Sequence, residues 1–115
     1  MKQNKALELS KTFSVKIMNL CKTFPKHIFA IMNQILRSAT SIGANLHESV
    51  YAQSKLDFIS KLKIALKECY ETEYWLELLK QGEYISEDNF KDLKNDCGQI
   101  RRILIKSCNT MQSEN

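Results

Sequence analysis

His27, His47 and the four cysteines Cys21, Cys69, Cys97 and Cys108 are the side chains best suited to hold a metal or supply a nucleophile. A di-metal site in a helical bundle takes inward Glu-x-x-His pairs, and neither histidine has a glutamate three residues before it. No cysteines form a Cys-x-x-Cys pair, and no Cys/His cluster has zinc spacing. A nucleophile needs a base and a group that orients the base. His47 and Glu48 are adjacent, so a helix turns them in different directions, and no such partners are visible for any thiol. There is no phosphate-cradling Gly loop and no Gly-x-Ser-x-Gly elbow. The expectation is a non-enzymatic chain with no catalytic residue, metal or cofactor.

The chemistry that remains is charge and aromatic surface. Arg101, Arg102 and Lys106 sit near the end of one amphipathic segment, Lys91 and Lys94 nearer its start, and Arg37 on an earlier segment. With a formal charge of +4, the chain permits contact with RNA or DNA without demanding it. Binding by such a set would depend on salt and be mostly indifferent to base sequence. The plainer reading is a solvated basic face that complements a helix C-terminal dipole. A different class of function rests on ECYETEYWLE, where Tyr70, Tyr74 and Trp75 stand among acids. Exposed aromatics are favoured interface anchors, which fits a protein–protein scaffold or adaptor with no nucleic-acid role. Trp75 points away from the main apolar arc, so it meets a partner or packs on a neighbouring helix or subunit.

These residues must be placed by helices. The 115-residue chain fits one domain, and three glycines and one proline leave little room for strands and tight turns. Breaks fall near Phe24-Pro25, near Ala52-Gln53-Ser54 and at Gln81-Gly82-Glu83. Pro25 suits a first helical turn, Ser54 to Asp57 resembles a capping box with Asp in place of Glu, and Gly82 suits a C-terminal cap. Ser86 opens the last segment with acids in its first turn. The predicted helices are 4–23, 26–52, 55–81 and 87–109, with a frayed tail over 110–115. Ile28, Met32, Ile35, Ala39, Ile42 and Leu46 alternate steps of four and three, as do Phe58, Leu62, Ala65, Cys69, Thr72, Leu76 and Leu79. The pattern predicts an all-α, up-down-up-down antiparallel four-helix bundle as a single domain over 1–115. Cysteines on the stripes act as small hydrophobes in a reduced compartment. No apolar run approaches the roughly 18 residues of a membrane span. The opening MKQNKALELSKTF carries no secretory signal, so a cytoplasmic location away from membranes is expected.

Two polar features interrupt the apolar pattern. In RSATSIGANLHESV, Ser38, Ser41, Asn45 and Ser49 gather on one edge of the apolar arc, with Glu48 just outside and Gly43 within it. Short hydroxyls bond back to a carbonyl one turn earlier, and Gly43 suggests close backbone contact. The stretch reads as a packing and assembly seam, the alternative being a ligand site. Glu73 projects into the middle of the arc of its helix, where a buried carboxylate must be paired or protonated, the alternative being that it lies at the open side of a wide stripe and is solvated. Arg37, Asn45, Arg101 and Arg102 are the donors available. Both middle segments carry a wider apolar arc than one bundle needs, which predicts self-association.

QILRSATSIGANLHES followed by SKLDFISKLKIALKECYETEYWLELL resembles the four-helix bundle proteins encoded in intervening sequences of bacterial 23S ribosomal RNA genes. The shared pattern is met by Gln34, Arg37, Ser41-Ile42, Ala44-Asn45, Glu48, Ser54, Phe58, Ala65-Leu66 and Glu71. The resemblance implies a homopentameric barrel without known enzymatic activity. A related branch, the accessory variability determinants of diversity-generating retroelements, implies nucleic acid and a reverse transcriptase as partners. This chain has Leu36-Arg37 for the usual Arg-Arg, Ser49 for the usual Gly, and Tyr51-Ala52-Gln53 for the usual basic run. Two of these changes remove charge where the family tends to carry it.

Overall fold

Each helix starts and stops where local chemistry dictates. Ser54 is extended (φ −158°, ψ 168°), and its Oγ accepts the Asp57 N–H at 3.0 Å. Asp57 in turn accepts the Gln53 N–H at 3.1 Å, so the capping box closes with the shorter acid. Ser86 Oγ accepts the Asn89 N–H at 3.1 Å at the next start. The computed structural model describes residues 2–113, folded as α1 (Lys2–Cys21), α2 (Phe29–Ser49), α3 (Lys55–Gln81) and α4 (Glu87–Ser113).

Several boundaries differ from the predicted ones. Helix α1 ends at Cys21, and Pro25, extended at φ −72°, leads into a one-turn 3-10 helix, Lys26–Ile28, rather than into α2 itself. Ile28 leaves the helical region (φ −110°, ψ 20°) and buries its side chain, so α2 proper begins at Phe29. Helix α2 stops at Ser49, where Val50 and Ala52 turn back to His47 and Ser49 with short three-residue bonds. The tail expected to fray from 110 is helical to Ser113, whose Oγ reaches the Thr110 carbonyl at 3.0 Å. Residues 114 and 115 lie outside the described residues.

After α3, Tyr84 N–H bonds the Leu79 carbonyl and Glu83 N–H the Lys80 carbonyl, the two bonds of a Schellman turn. Gly82 occupies the cap with φ −80°, and the left-handed residue is Glu83 at φ 64°. The glycine therefore stands one position before the place where its freedom counts.

Among the described residues, helix α1 packs on α2 and α4, and α3 packs on α2 and α4, with no close backbone approach between the diagonal pairs. This is an up-down-up-down four-helix bundle, with extents of 48 × 22 × 19 Å. Phe13 and Ile17 of α1, Ile35, Ile42 and Leu46 of α2, Leu62 and Leu76 of α3, and Ile100 and Leu104 of α4 are fully buried. Each contributes about 1.5–3 kcal/mol by leaving water. Cys69 and Cys97 meet across α3 and α4 inside this core, with Cys97 Sγ 3.5 Å from the Cys69 carbonyl. Contact with the Cys69 thiol and burial together push the Cys97 thiol far above its ordinary value, so it stays protonated. All four cysteines are free thiols. No helix among the described residues is long and apolar enough to cross a membrane.

Candidate nucleic-acid interface

The polar stretch of α2 is satisfied within the chain. Ser38 Oγ reaches the Ile35 carbonyl at 3.3 Å, Ser49 Oγ the Leu46 carbonyl at 2.7 Å, and Asn45 Nδ2 the Ser41 carbonyl at 2.9 Å. Thr72 of α3 donates to Ser38 Oγ or to the Glu68 carbonyl, both at 2.8 Å. Gly43 faces α1, where an added Cβ would lie 2.9 Å from Ser10 Oγ. Glu48 pairs with Lys61 of α3 at 3.1 Å. Every buried side-chain nitrogen and oxygen among the described residues has a partner. The seam thus joins α2 to its own neighbours.

Glu73 meets Arg101 of α4, with Oε2 2.7 Å from Nε. This pair holds the Arg101 guanidinium, and the hydrogen bond to Glu73 raises its pKa above the ordinary value against the opposing effect of burial. Trp75 packs partly buried against the core and donates Nε1–H to Glu71 at 3.0 Å, so it is not a free anchor. Arg37 bridges α2 to α3 through Glu68 at 3.0 Å and through Glu71. The Trp75 bond, then Arg37, hold the Glu71 carboxyl below its usual range against the opposing effect of burial. Glu68, the Ser38–Thr72 contact and the Lys16 pairs with Asp92 and Asp96 (3.1 and 2.7 Å) are not legible in the sequence pattern. They join residues far apart in the chain, and only the packed helix pairs bring them together.

The proposed cations divide into two groups. Arg37, Lys94 (3.2 Å from Glu77), Lys91 (3.9 Å from Glu87) and Arg101 are in salt bridges. Arg102 and Lys106 are exposed on the outer face of α4 and make no salt bridge among the described residues. At Gly98 an added Cβ would lie 3.2 Å from Arg102 Nη1 and 3.4 Å from Arg101 Nη2. Both guanidinium groups therefore lie over one bare stretch of backbone, and Arg101 also stands over the Tyr70 ring at 5.7 Å.

Two cations that the sequence reading did not single out continue this surface. Lys63, Lys67, Tyr70 and Tyr74 follow one another at steps of four, three and four, a single stripe on α3, and all four are exposed. Lys63 acts electrostatically on the Cys108 thiol of α4, which burial pushes up, so the stripe runs beside α4. Among the described residues neither lysine makes a salt bridge, and a shallow groove beside them is lined by Leu56, Ile59, Ser60 and Ile64. The signal was present as helical spacing on the polar side of α3, away from the apolar stripe.

His27 is hydrogen bonded to Tyr84 at 2.7 Å, and His47 lies against Tyr51. Among the described residues no three of His, Cys, Asp and Glu gather to hold a metal ion.

Residues 2–106 match the family model described as 23S rRNA-intervening sequence protein. A crystal structure of a protein of unknown function from the S23 ribosomal protein family of Bacteroides thetaiotaomicron VPI-5482 is similar over 95% of this chain and 99% of its own. It is 48% identical in sequence, with a TM-score of 0.90. The comparison with curated proteins finds no match.

Proposed function

This chain belongs to the 23S rRNA-intervening sequence protein family, and on that premise we propose a non-enzymatic, cytoplasmic, self-assembling bundle that binds RNA or DNA without sequence preference. The carrying observation is the pairing of charges. Among the described residues, every acid except Glu83 and Asp88 meets a cation or a capped backbone N–H. Arg102, Lys106, Lys63 and Lys67 make no salt bridge among the described residues, although Lys67 lies within the field of Glu71. Lys5, Lys22 and Lys26, on α1 and the turn after it, also lie outside any salt bridge among the described residues, so the α3–α4 face holds the larger share of the positive excess rather than all of it. A homopentamer, the number that the family resemblance suggests, repeats that face around an axis and turns a modest charge per chain into a strong field.

Assembly draws support from apolar side chains that the single bundle leaves in water. Val15 and Met18 on α1, Phe29 on α2, and Val50 and Tyr51 after α2 are all at least 43% exposed. Such surface is costly for a chain that stays alone. Light scattering with filter binding at low salt tests both halves: a five-subunit particle that retains RNA and DNA supports the proposal. A monomeric particle, or one that retains neither polymer, overturns it. A second reading, a protein scaffold or adaptor, is favoured by Leu56 at 80% exposure beside the groove of α3. Co-purification of a defined protein, such as a reverse transcriptase, without nucleic acid would favour it.

A further inference from the structure

The outer stripe of α3 has a composition that solubility alone does not require. Tyr70 and Tyr74 are 53% and 54% exposed, one helical turn apart, on the same line as Lys63 and Lys67. Both rings are held rather than loose: Arg101 lies against Tyr70, and Trp75 meets Tyr74 edge-on with centroids 5.0 Å apart. Arg101 is itself fixed by Glu73, and Arg102 lies beside it over Gly98. Two exposed, pre-positioned rings here follow two lysines that make no salt bridge among the described residues, along one edge. Duplex phosphates need only the cations. Rings with free faces add affinity only when unpaired bases are available to stack on them.

Resting on the nucleic-acid reading above, we infer that the α3–α4 face is a site for single-stranded nucleic acid, with bases stacked on Tyr70 and Tyr74 and phosphates on Lys63, Lys67 and Arg102. A second copy of the chain is a poorer occupant. Among the described residues, the acids without partners, Glu83 and Asp88, lie at the α3–α4 turn, and in the acidic line Asp88, Asp92 and Asp96 of α4 the last two are already taken by Lys16. A polyanion has the complementary charge.

The test is fluorescence anisotropy with a short labelled oligouridine and an RNA duplex of the same length, using the assembled protein. Oligouridine should bind about tenfold or more tightly than the duplex. The double variant Tyr70→Ser/Tyr74→Ser should lose about tenfold to a hundredfold of oligouridine affinity and leave duplex binding unchanged. Tyr70→Phe/Tyr74→Phe should restore it, because stacking uses the ring and not the hydroxyl. Lys63→Glu/Lys67→Glu, at exposed positions, should weaken both probes and lower the salt dependence. Equal affinity for the two probes, or no effect of the serine variant, overturns the inference and leaves general polyanion binding in place. A change in particle mass in the serine variant also overturns it, because the stripe is then a subunit contact. Binding of neither probe by the native protein removes both this inference and the nucleic-acid reading beneath it.

Discussion

At the scale of single residues, close contacts decide the sign of an effect. Alanine is favoured over glycine inside a helix by about 1 kcal/mol, so by propensity alone Gly43 is a weak point of α2. It is instead the partner of Ser10, whose buried Oγ would stand 2.9 Å from a new methyl. Gly43→Ala alone should therefore lower the thermal midpoint. In a Ser10→Ala background only Ser10 Cβ remains near, at 3.5 Å, which is ordinary contact. There the same substitution should stabilise by up to about 1 kcal/mol. Chemical denaturation of the four proteins checks this; additive effects would show that the two residues do not touch. Glycine in this stretch was readable as a demand for close approach. That the approach is to α1 was not, because helix periodicity carries no information about which neighbour fills the arc.

At the scale of elements, the joints of the bundle show where stability was left unused and where it depends on pH. Glu83 holds the left-handed position of the turn after α3. A β-carbon there costs roughly 1–2 kcal/mol, so Glu83→Gly should stabilise by about 1 kcal/mol after the added chain entropy is deducted. A raised urea midpoint at unchanged slope is the expected readout. The α2–α3 joint titrates. Glu71 has its carboxyl held below the ordinary 4.5 by Trp75 and Arg37, so its contribution is fully present above that value. It is lost as pH falls through the lower folded-state value. Thermal unfolding followed from roughly pH 3 to 7 should show a loss on the acid side that is smaller in Glu71→Gln. An identical acid limb in both proteins would remove this joint from the account. Ser54 and Ser86 were legible as helix starts because a cap is a local bond between neighbours in sequence. The ends at Cys21 and Ser49 were not, because they follow from Phe24 and Ile28 turning into the core and from a tightened last turn.

At the scale of the whole molecule, the question is how much of the surface is spoken for. A chain that buries exposed Val15, Met18, Phe29 and Tyr51 against copies of itself gains stability by mass action. Its thermal midpoint should rise with protein concentration, and a midpoint flat across a hundredfold dilution series would count against assembly. The basic face behaves differently. It neutralises phosphates in proportion to its free cations, and four of the six that the sequence suggested are already in salt bridges within the chain.

The chain order alone determined the class of fold. Three-and-four spacing of apolar side chains admits only helices that bury one face, and four such segments with short breaks close most simply as an antiparallel bundle. Family membership was also legible, because the shared residues lie in register along two adjacent segments. Charge could be counted from the sequence but not located. Arg101 and Arg102 are neighbours in sequence, yet Glu73 takes one and leaves the other free. Lys63 and Lys67 gain their meaning only when α4 lies beside α3 and brings the Arg101 guanidinium to Tyr70. Local patterns encode which face of a helix is dry. Which acid meets which base is settled by packing between residues far apart in the chain, and so by the tertiary structure.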